Sequence, residues 1–410
     1  MSTPQRIVII GGGLAGAKTV EALREQEYEG HLTLIGEESH LPYERPPLSK
    51  EYLAGSAPFE DSIVHTGEWF RQHRVDLHLG SRAIAIDRDS RKVSLDSGDH
   101  VTYDELVLAT GATPRRSDLP GADANGVHYL RTPEDSDAIR ESLGAGRHLA
   151  IIGGGWIGLE VAANARAAGA EVTLVERSRI PLARTLGDQM GQVFLDRHRE
   201  EGVDVLTETE VSEIMTEGGR VSGLRLVGGR ELPADLVVIG LGAIPNVELA
   251  EAAGLDLAQG GVAVDAALTT SDPHIYAVGD VAAHQHPVLG RRLRVEHWAN
   301  ALNQPKALAP TLLGERTEYA ELPYFFSDQY DLGMEYLGSV PGEHVNDVVV
   351  RGDVSERKFL AFWLDSADAM LAVMAVNVWD MDEQIKPLLG QGRPIDRRKL
   401  ADPSVPFADL

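Results

Sequence analysis

The sequence contains no cysteine in its 410 residues. That excludes structural disulfides, thiolate-ligated zinc, an iron–sulfur cluster of the chain's own, and any catalytic thiol or redox dithiol. Positive charge is scarce as well. Lys and Arg number 38 against 63 Asp and Glu, a formal net charge of −25. Such a chain repels a phosphate backbone and an anionic lipid surface, which argues against nucleic-acid and membrane partners. No apolar run approaches the roughly 18 residues of a membrane span. The N-terminus leads into the apolar stretch at Ile7 without the basic region or cleavage site of a secretory signal. The cytoplasm is the expected compartment. With 25% charged residues, the composition is that of a globular protein. The length suits two or three domains of about 150 residues each.

What the chain does have is an internal repeat. Residues 6–16 read RIVIIGGGLAG and residues 148–158 read HLAIIGGGWIG. Each is a β-branched apolar run, then G-x-G-x-x-G, then a helical pattern. Each leads to a second strand that closes on an acid, Glu37 after LTLIG and Glu176 after VTLV. The acids follow the first glycines by roughly 25 residues, near the spacing of a dinucleotide fingerprint. A single G-x-G-x-x-G is weak, whereas two copies with strand, helix and acid are specific. A second pair of echoes, LVLATGATP at 106–114 and VVIGLGAIP at 237–245, closes each unit with a buried-type strand. Alternating strand and helix signals predict α/β domains with parallel sheets. Beyond about residue 317 the pattern changes to short strand-like runs, LGMEYLGSV, DVVVRGD, KFLAFWLD and AMLAVMAV. These predict an antiparallel sheet in an α+β region.

Gly11, Gly13 and Gly16 permit a tight strand-to-helix turn and close approach of a pyrophosphate, with Leu14 and Ala15 opening the helix whose N–H groups face it. Glu37 is placed to accept from a ribose. Gly153, Gly155 and Gly158, with Trp156 and Ile157, repeat the arrangement for a second dinucleotide. Glu176 favours a free 2′-hydroxyl and repels a 2′-phosphate, hence NAD over NADP. Arg177, Arg179 and Arg184 follow closely and soften that preference. Two dinucleotides in one chain imply transfer between them, usually between a nicotinamide and a flavin. His284, His286 and His297 lack the wider ligand spacing of a metal site, and none is expected. Two basic clusters, Arg291, Arg292 and Arg294, then Lys386, Arg393, Arg397, Arg398 and Lys399, are candidates for steering an acidic partner.

Five further stretches carry a resemblance: LPYERPPLSK at 41–50, YLRT at 129–132, TTSDPHIYAVGDVA at 269–282, VEHWANA at 295–301 and YFFSDQYDLGMEYLG at 324–338. With the two fingerprints they make the chain resemble, over nearly its whole length, the two-dinucleotide flavoproteins of the glutathione reductase fold. The similarity is greatest to the branch of oxygenase-coupled ferredoxin reductases, with apoptosis-inducing factor as a relative. The resemblance implies two Rossmann-like domains, FAD (1–112 and 243–316) and inserted NAD (113–242), plus a C-terminal α+β domain (317–410). It implies that Asp280 holds the flavin ribityl chain and that Arg131 contacts the flavin nucleotide; Arg45 is expected near the FAD phosphate or adenosine, and Ala83 is a further cofactor-binding candidate. Lys50 and Glu160 would pair beside the flavin's reactive nitrogen, the cation favouring the charge on reduced flavin. The helix opening at His297 and Trp298 would point at the flavin's pyrimidine edge. Glu296 and Phe326 would line the nicotinamide side, and Arg184 and Gly242 are further cofactor-binding candidates. Phe326 and Tyr324 stand where several members of the branch carry Trp.

The disulfide reductases of this fold need a cysteine pair beside the flavin, and this chain has none. Electrons must therefore go to an external acceptor. The expected function is an FAD-dependent NADH reductase serving a small [2Fe-2S] ferredoxin of an oxygenase system. The alternatives are an NADH oxidase or a rubredoxin or quinone reductase, and an NADH-responsive redox-sensing binding flavoprotein. Monomer and homodimer are both compatible with the sequence.

Overall fold

The first apolar run, Arg6–Ile10, is the central strand of a five-stranded parallel sheet. Across that sheet the order is Ile275–Ala277, Glu105–Leu108, Arg6–Ile10, His31–Gly36 and Val75–Leu79. Every neighbouring pair is parallel. Ile7, Val8 and Ile9 are all buried, as a strand covered on both faces requires. The helix Leu14–Glu25 follows the glycine turn and buries Ala17, Val20 and Leu23 in the same core. The helix Trp298–Leu312 adds Leu308, Ala309 and Leu312. These elements belong to one of two units of this computed structural model, which describes residues 3–380, 382–390 and 392–410. The first unit comprises the chain up to Arg45, Phe59–Thr113 and Ala243–Pro323.

The second unit comprises Pro46–Pro58, Pro114–Gly242 and Tyr324–Leu410. Its parallel sheet is ordered Asp204–Leu206, Glu171–Val175, His148–Ile152, Leu236–Ile239 and Val127–His128. The sequence repeat is thus a structural repeat, and strand register explains what it achieves. Ile10 lies opposite Ile35 and Ile152 opposite Val175. The strand carrying the acid therefore ends level with the glycine turn, so Glu37 and Glu176 arrive beside Gly11 and Gly153.

The same unit holds a five-stranded antiparallel sheet in the order Tyr324–Gln329, Leu332–Gly338, Met370–Val376, Lys358–Leu364 and Val348–Asp353. The strand-like runs predicted after residue 317 fall within it. Trp363 is wholly buried there and donates its indole N–H to the Val345 carbonyl at 2.9 Å. On the edge strand Tyr324–Gln329, Phe325, Ser327 and Gln329 face inward. Two of those three inward positions are polar, which a core strand accommodates only if both side chains find partners.

Two buried histidines give the fold an acid sensitivity. Burial pushes His198 and His284 down to about 4 from an ordinary 6.5. Between those values the unfolded chain binds more protons than the folded one, so stability falls as pH drops from 6.5 towards 4. The unfolding free energy from urea titration is expected to decline across pH 6.5 to 5, by on the order of 1–2 kcal/mol per histidine. A His284→Leu variant should flatten that slope. An unaltered slope would show that His284 takes up its proton equally in the folded and unfolded protein.

Candidate functional site

Both helices that follow the glycine turns start without a side-chain cap. Gly13 and Gly155 occupy the cap positions, and neither end has a side-chain hydrogen bond to its first N–H groups. Helix N-termini left in this way present donors and a positive dipole end to an anion. The glycines divide the work. Gly11 has φ +127°, and a Cβ there would lie 2.0 Å from the Ala109 carbonyl oxygen. A Cβ on Gly16 would lie 2.0 Å from the Gly11 carbonyl. These two serve the packing of turn, strand and helix. At Gly13, by contrast, a Cβ would meet nothing within 4 Å. Its missing side chain clears space in front of the helix end, the requirement of a pyrophosphate. Gly155 repeats this, its Cβ position reaching only the Gly240 oxygen at 4.0 Å. Both cradles fit a dinucleotide.

The acids at the two cradles are held differently. Glu37 is 68% exposed, and its ion-pair partner among the described residues, Arg82, stands off at 3.7 Å. Glu176 is fixed by backbone: one carboxylate oxygen accepts from Gly154 N–H at 2.6 Å and the other from Ser178 N–H at 2.6 Å. The same carboxylate that is placed to meet a ribose also braces the second glycine turn. Beside that turn Ile157 and Leu241 are 43% and 41% exposed, an apolar rim at a helix end otherwise rich in polar backbone. Trp156 is turned the other way, edge-on to Phe194 and Phe325 with centroids 5.6 and 5.1 Å apart. It anchors the helix rather than presenting a face to a ligand.

Within the second unit Lys50 and Glu160 come together. Lys50 Nζ lies 2.8 Å from Glu160 Oε1, with side chains 11% and 3% exposed. Ser327 donates to the same oxygen at 2.6 Å, and Ser49 donates to Oε2 at 2.5 Å. Asn164, one turn further along the helix, holds the Ser49 carbonyl at 2.9 Å. The Lys50 ammonium sits 5.3 Å from the centroid of the Phe326 ring. Ion pairs this deep are a poor source of stability, because desolvation offsets the attraction. A buried cation held by a multiply bonded carboxylate is instead suited to meeting negative charge that develops nearby.

In the first unit Gly279 and Asp280 form a short 3-10 turn whose Gly279 N–H is held by the Gln304 side chain at 2.7 Å. The Trp298 indole donates to Glu44 at 3.0 Å, and His297 occupies the cap position of the helix Trp298–Leu312. Glu296 pairs with Arg294 and is exposed. Arg45 pairs with Glu38 at 2.6 Å and with the Tyr43 hydroxyl at 2.5 Å. Ala83 is buried at the start of the strand Ala83–Asp87. In the second unit, Arg131 precedes the Thr132–Asp135 capping box of the helix Pro133–Ser142, and its backbone N–H donates to Asp135 at 2.9 Å. Arg184 is exposed at a helix start, and Gly242 takes φ +87° with open space around it. Several cations of the basic clusters are engaged by their own chain: Arg292 with the Val264 carbonyl, Arg397 with Asp368, Arg393 with the Leu410 carbonyl. Sequence reasoning missed Ser49 and Ser327 altogether. The one available signal was a hydroxyl at an inward position of a strand.

Residues 5–304 match the model of the family described as pyridine nucleotide-disulphide oxidoreductase, and residues 324–410 match a reductase C-terminal domain. The ferredoxin–NAD(+) reductase component of the anthranilate 1,2-dioxygenase system of Burkholderia cepacia is 40% identical over 97% of both chains. Putidaredoxin reductase of Pseudomonas putida is 39% identical, covering 100% of this chain and 97% of that one. Among solved structures, the covalent putidaredoxin reductase–putidaredoxin complex superposes with a TM-score of 0.94 at 38% identity, covering 99% and 97%.

The two kinds of glycine predict opposite failures. Gly13→Ala should fold with an unchanged apoprotein melting temperature but retain little flavin, read as the ratio of visible to ultraviolet absorbance. Gly11→Ala should destabilise the apoprotein itself by several degrees, through strain at φ +127°. For the second cradle, Glu176→Ala should narrow the ratio of kcat/KM for NADH over NADPH by about tenfold or more. An unchanged ratio would remove Glu176 as the discriminator.

Proposed function

The chain belongs to the pyridine nucleotide-disulphide oxidoreductase family, and on that premise we propose that it is an FAD-containing, NADH-dependent reductase of a small [2Fe-2S] ferredoxin in a cytoplasmic oxygenase system. The observation that carries this reading is the pair of open, uncapped glycine turns, combined with a chain that has no cysteine to receive electrons. FAD, when bound, accepts a hydride from NADH and gives up electrons singly, chemistry that no side chain of this protein supplies.

The residues bind, orient and tune. Gly11, Gly13 and Gly16 with the helix Leu14–Glu25 hold the FAD pyrophosphate, Glu37 its ribose, and Asp280 its ribityl chain. Gly153, Gly155 and Gly158 hold NADH, with Glu176 at the ribose and Ile157 and Leu241 as apolar rim. Lys50 carries the positive charge that the reduced flavin needs, and Glu160 keeps that ammonium in one place. In this reading the domain division is FAD (1–112 and 243–316), NAD (113–242) and C-terminal (317–410).

Anaerobic mixing of the flavin-loaded protein with NADH tests the reading. Bleaching of the flavin within about a second fits a turning-over reductase, and rapid reoxidation by a [2Fe-2S] ferredoxin compared with air identifies the acceptor. Bleaching over many minutes, with no ferredoxin effect, points to a redox-sensing protein instead. Lys50→Ala should slow flavin reduction and lower the flavin potential without changing NADH affinity.

A further inference from the structure

Glu160 is the end of a longer hydrogen-bonded chain, all of it within the second unit. Ser327 Oγ donates to Glu160 Oε1 at 2.6 Å. Gln329 Nε2 donates to Ser327 Oγ at 3.0 Å. His198 Nε2 meets Gln329 Oε1 at 2.9 Å, and the Tyr330 hydroxyl meets His198 Nδ1 at 3.3 Å. Ser327, Gln329 and His198 are each about 1% exposed. Three buried polar side chains in series replace what could have been apolar packing.

The direction of every bond follows from the first. A carboxylate accepts, so the Ser327 hydroxyl gives it its single proton. Ser327 Oγ then accepts from the amide nitrogen of Gln329, which turns the amide oxygen towards His198. An amide oxygen also only accepts, so His198 carries its proton on Nε2. Nδ1 is left as an acceptor for Tyr330. All four donors therefore point towards Glu160, and aligned hydrogen bonds of this kind polarise one another. The Gln329 amide, which does not readily pass on a proton, makes the chain a polarising one rather than a proton conductor.

We infer that His198 and Gln329, acting through Ser327, are positioning residues that fix the Glu160 carboxylate and thereby the charge Lys50 offers to the flavin. The inference rests on the reading of Lys50 given above. Burial holds His198 neutral, with its pKa pushed down to about 4. The groups around it, Arg197, Glu201, Gln329 and Tyr330, leave that Nε2–H form in place at neutral pH.

The test uses the FAD-loaded enzyme and three readouts: the rate of flavin reduction by NADH, the flavin midpoint potential, and the NADH dissociation constant. Ser327→Ala should slow reduction about tenfold, as expected for losing one hydrogen bond to a charged group. It should also make the potential more negative, with NADH binding unchanged. Ser327→Thr, which keeps the hydroxyl, should restore both. Gln329→Leu and His198→Phe should act in the same direction and less strongly. Unchanged rate and potential in Ser327→Ala, where Lys50→Ala alters both, would overturn this inference and leave the Lys50 reading standing. If Lys50→Ala alters neither, the reading itself fails and the inference with it. Histidine-selective 15N NMR of the unmodified protein at pH 7 gives a result independent of how the variants fold. His198 should show the neutral Nε2–H tautomer, and an Nδ1–H tautomer or an imidazolium signal would falsify the chain's direction.

Discussion

A carboxylate that is 3% exposed has to be bonded from every side, and Glu160 is. Its position follows from the second fingerprint: the helix Trp156–Ala167 begins at the glycine turn, and Glu160 lies one turn in. The helix with the uncapped N-terminus thus also delivers a buried negative charge. That charge then sets conditions on distant parts of the sequence. Ser49 and Lys50 must arrive from the segment Pro46–Pro58, and Ser327 from the edge strand of the C-terminal sheet. Removing any one partner leaves part of a buried charge uncompensated, which costs more than the bond itself contributes. The second unit is assembled around this need as much as around its apolar core.

Much of the fold was legible because it is written in periodicities. The two fingerprints, the acids closing the second strands and the antiparallel runs after residue 317 each depend on residues near one another in sequence. Strand register then converts a spacing into a position, as Ile152 opposite Val175 places Glu176 at its turn. The pairing of Lys50 with Glu160 came from resemblance alone, since nothing in a solitary Lys or Glu announces a partner more than a hundred residues away. Ser49, Ser327, Gln329 and His198 were illegible for the same reason. A serine or histidine reveals its bonds only when tertiary structure supplies the other half.

Two motifs show how much of a side chain's bonding local pattern leaves open. His284 and His286 have a spacing that ligands can use, yet both nitrogens of His286 are taken by backbone, Nε2 by the Glu321 carbonyl and Nδ1 by the Val288 N–H. Arg45, a candidate contact for an FAD phosphate or adenosine, bonds Glu38 and the Tyr43 hydroxyl within its own chain. Local pattern indicates which groups are available. It does not indicate which neighbour claims them first.

The unlike treatment of the two acids has a consequence for timing. Glu176 is already immobilised by two backbone N–H groups, whereas Glu37 projects into solvent with Arg82 at a distance. Ordering a loose side chain costs entropy each time a ligand arrives. For a nucleotide that stays bound through the life of the protein, that cost is met once. For one that enters and leaves with every catalytic cycle, it recurs. The stationary acceptor stands at the cradle assigned to the visiting nucleotide, and the loose one at the cradle assigned to the resident.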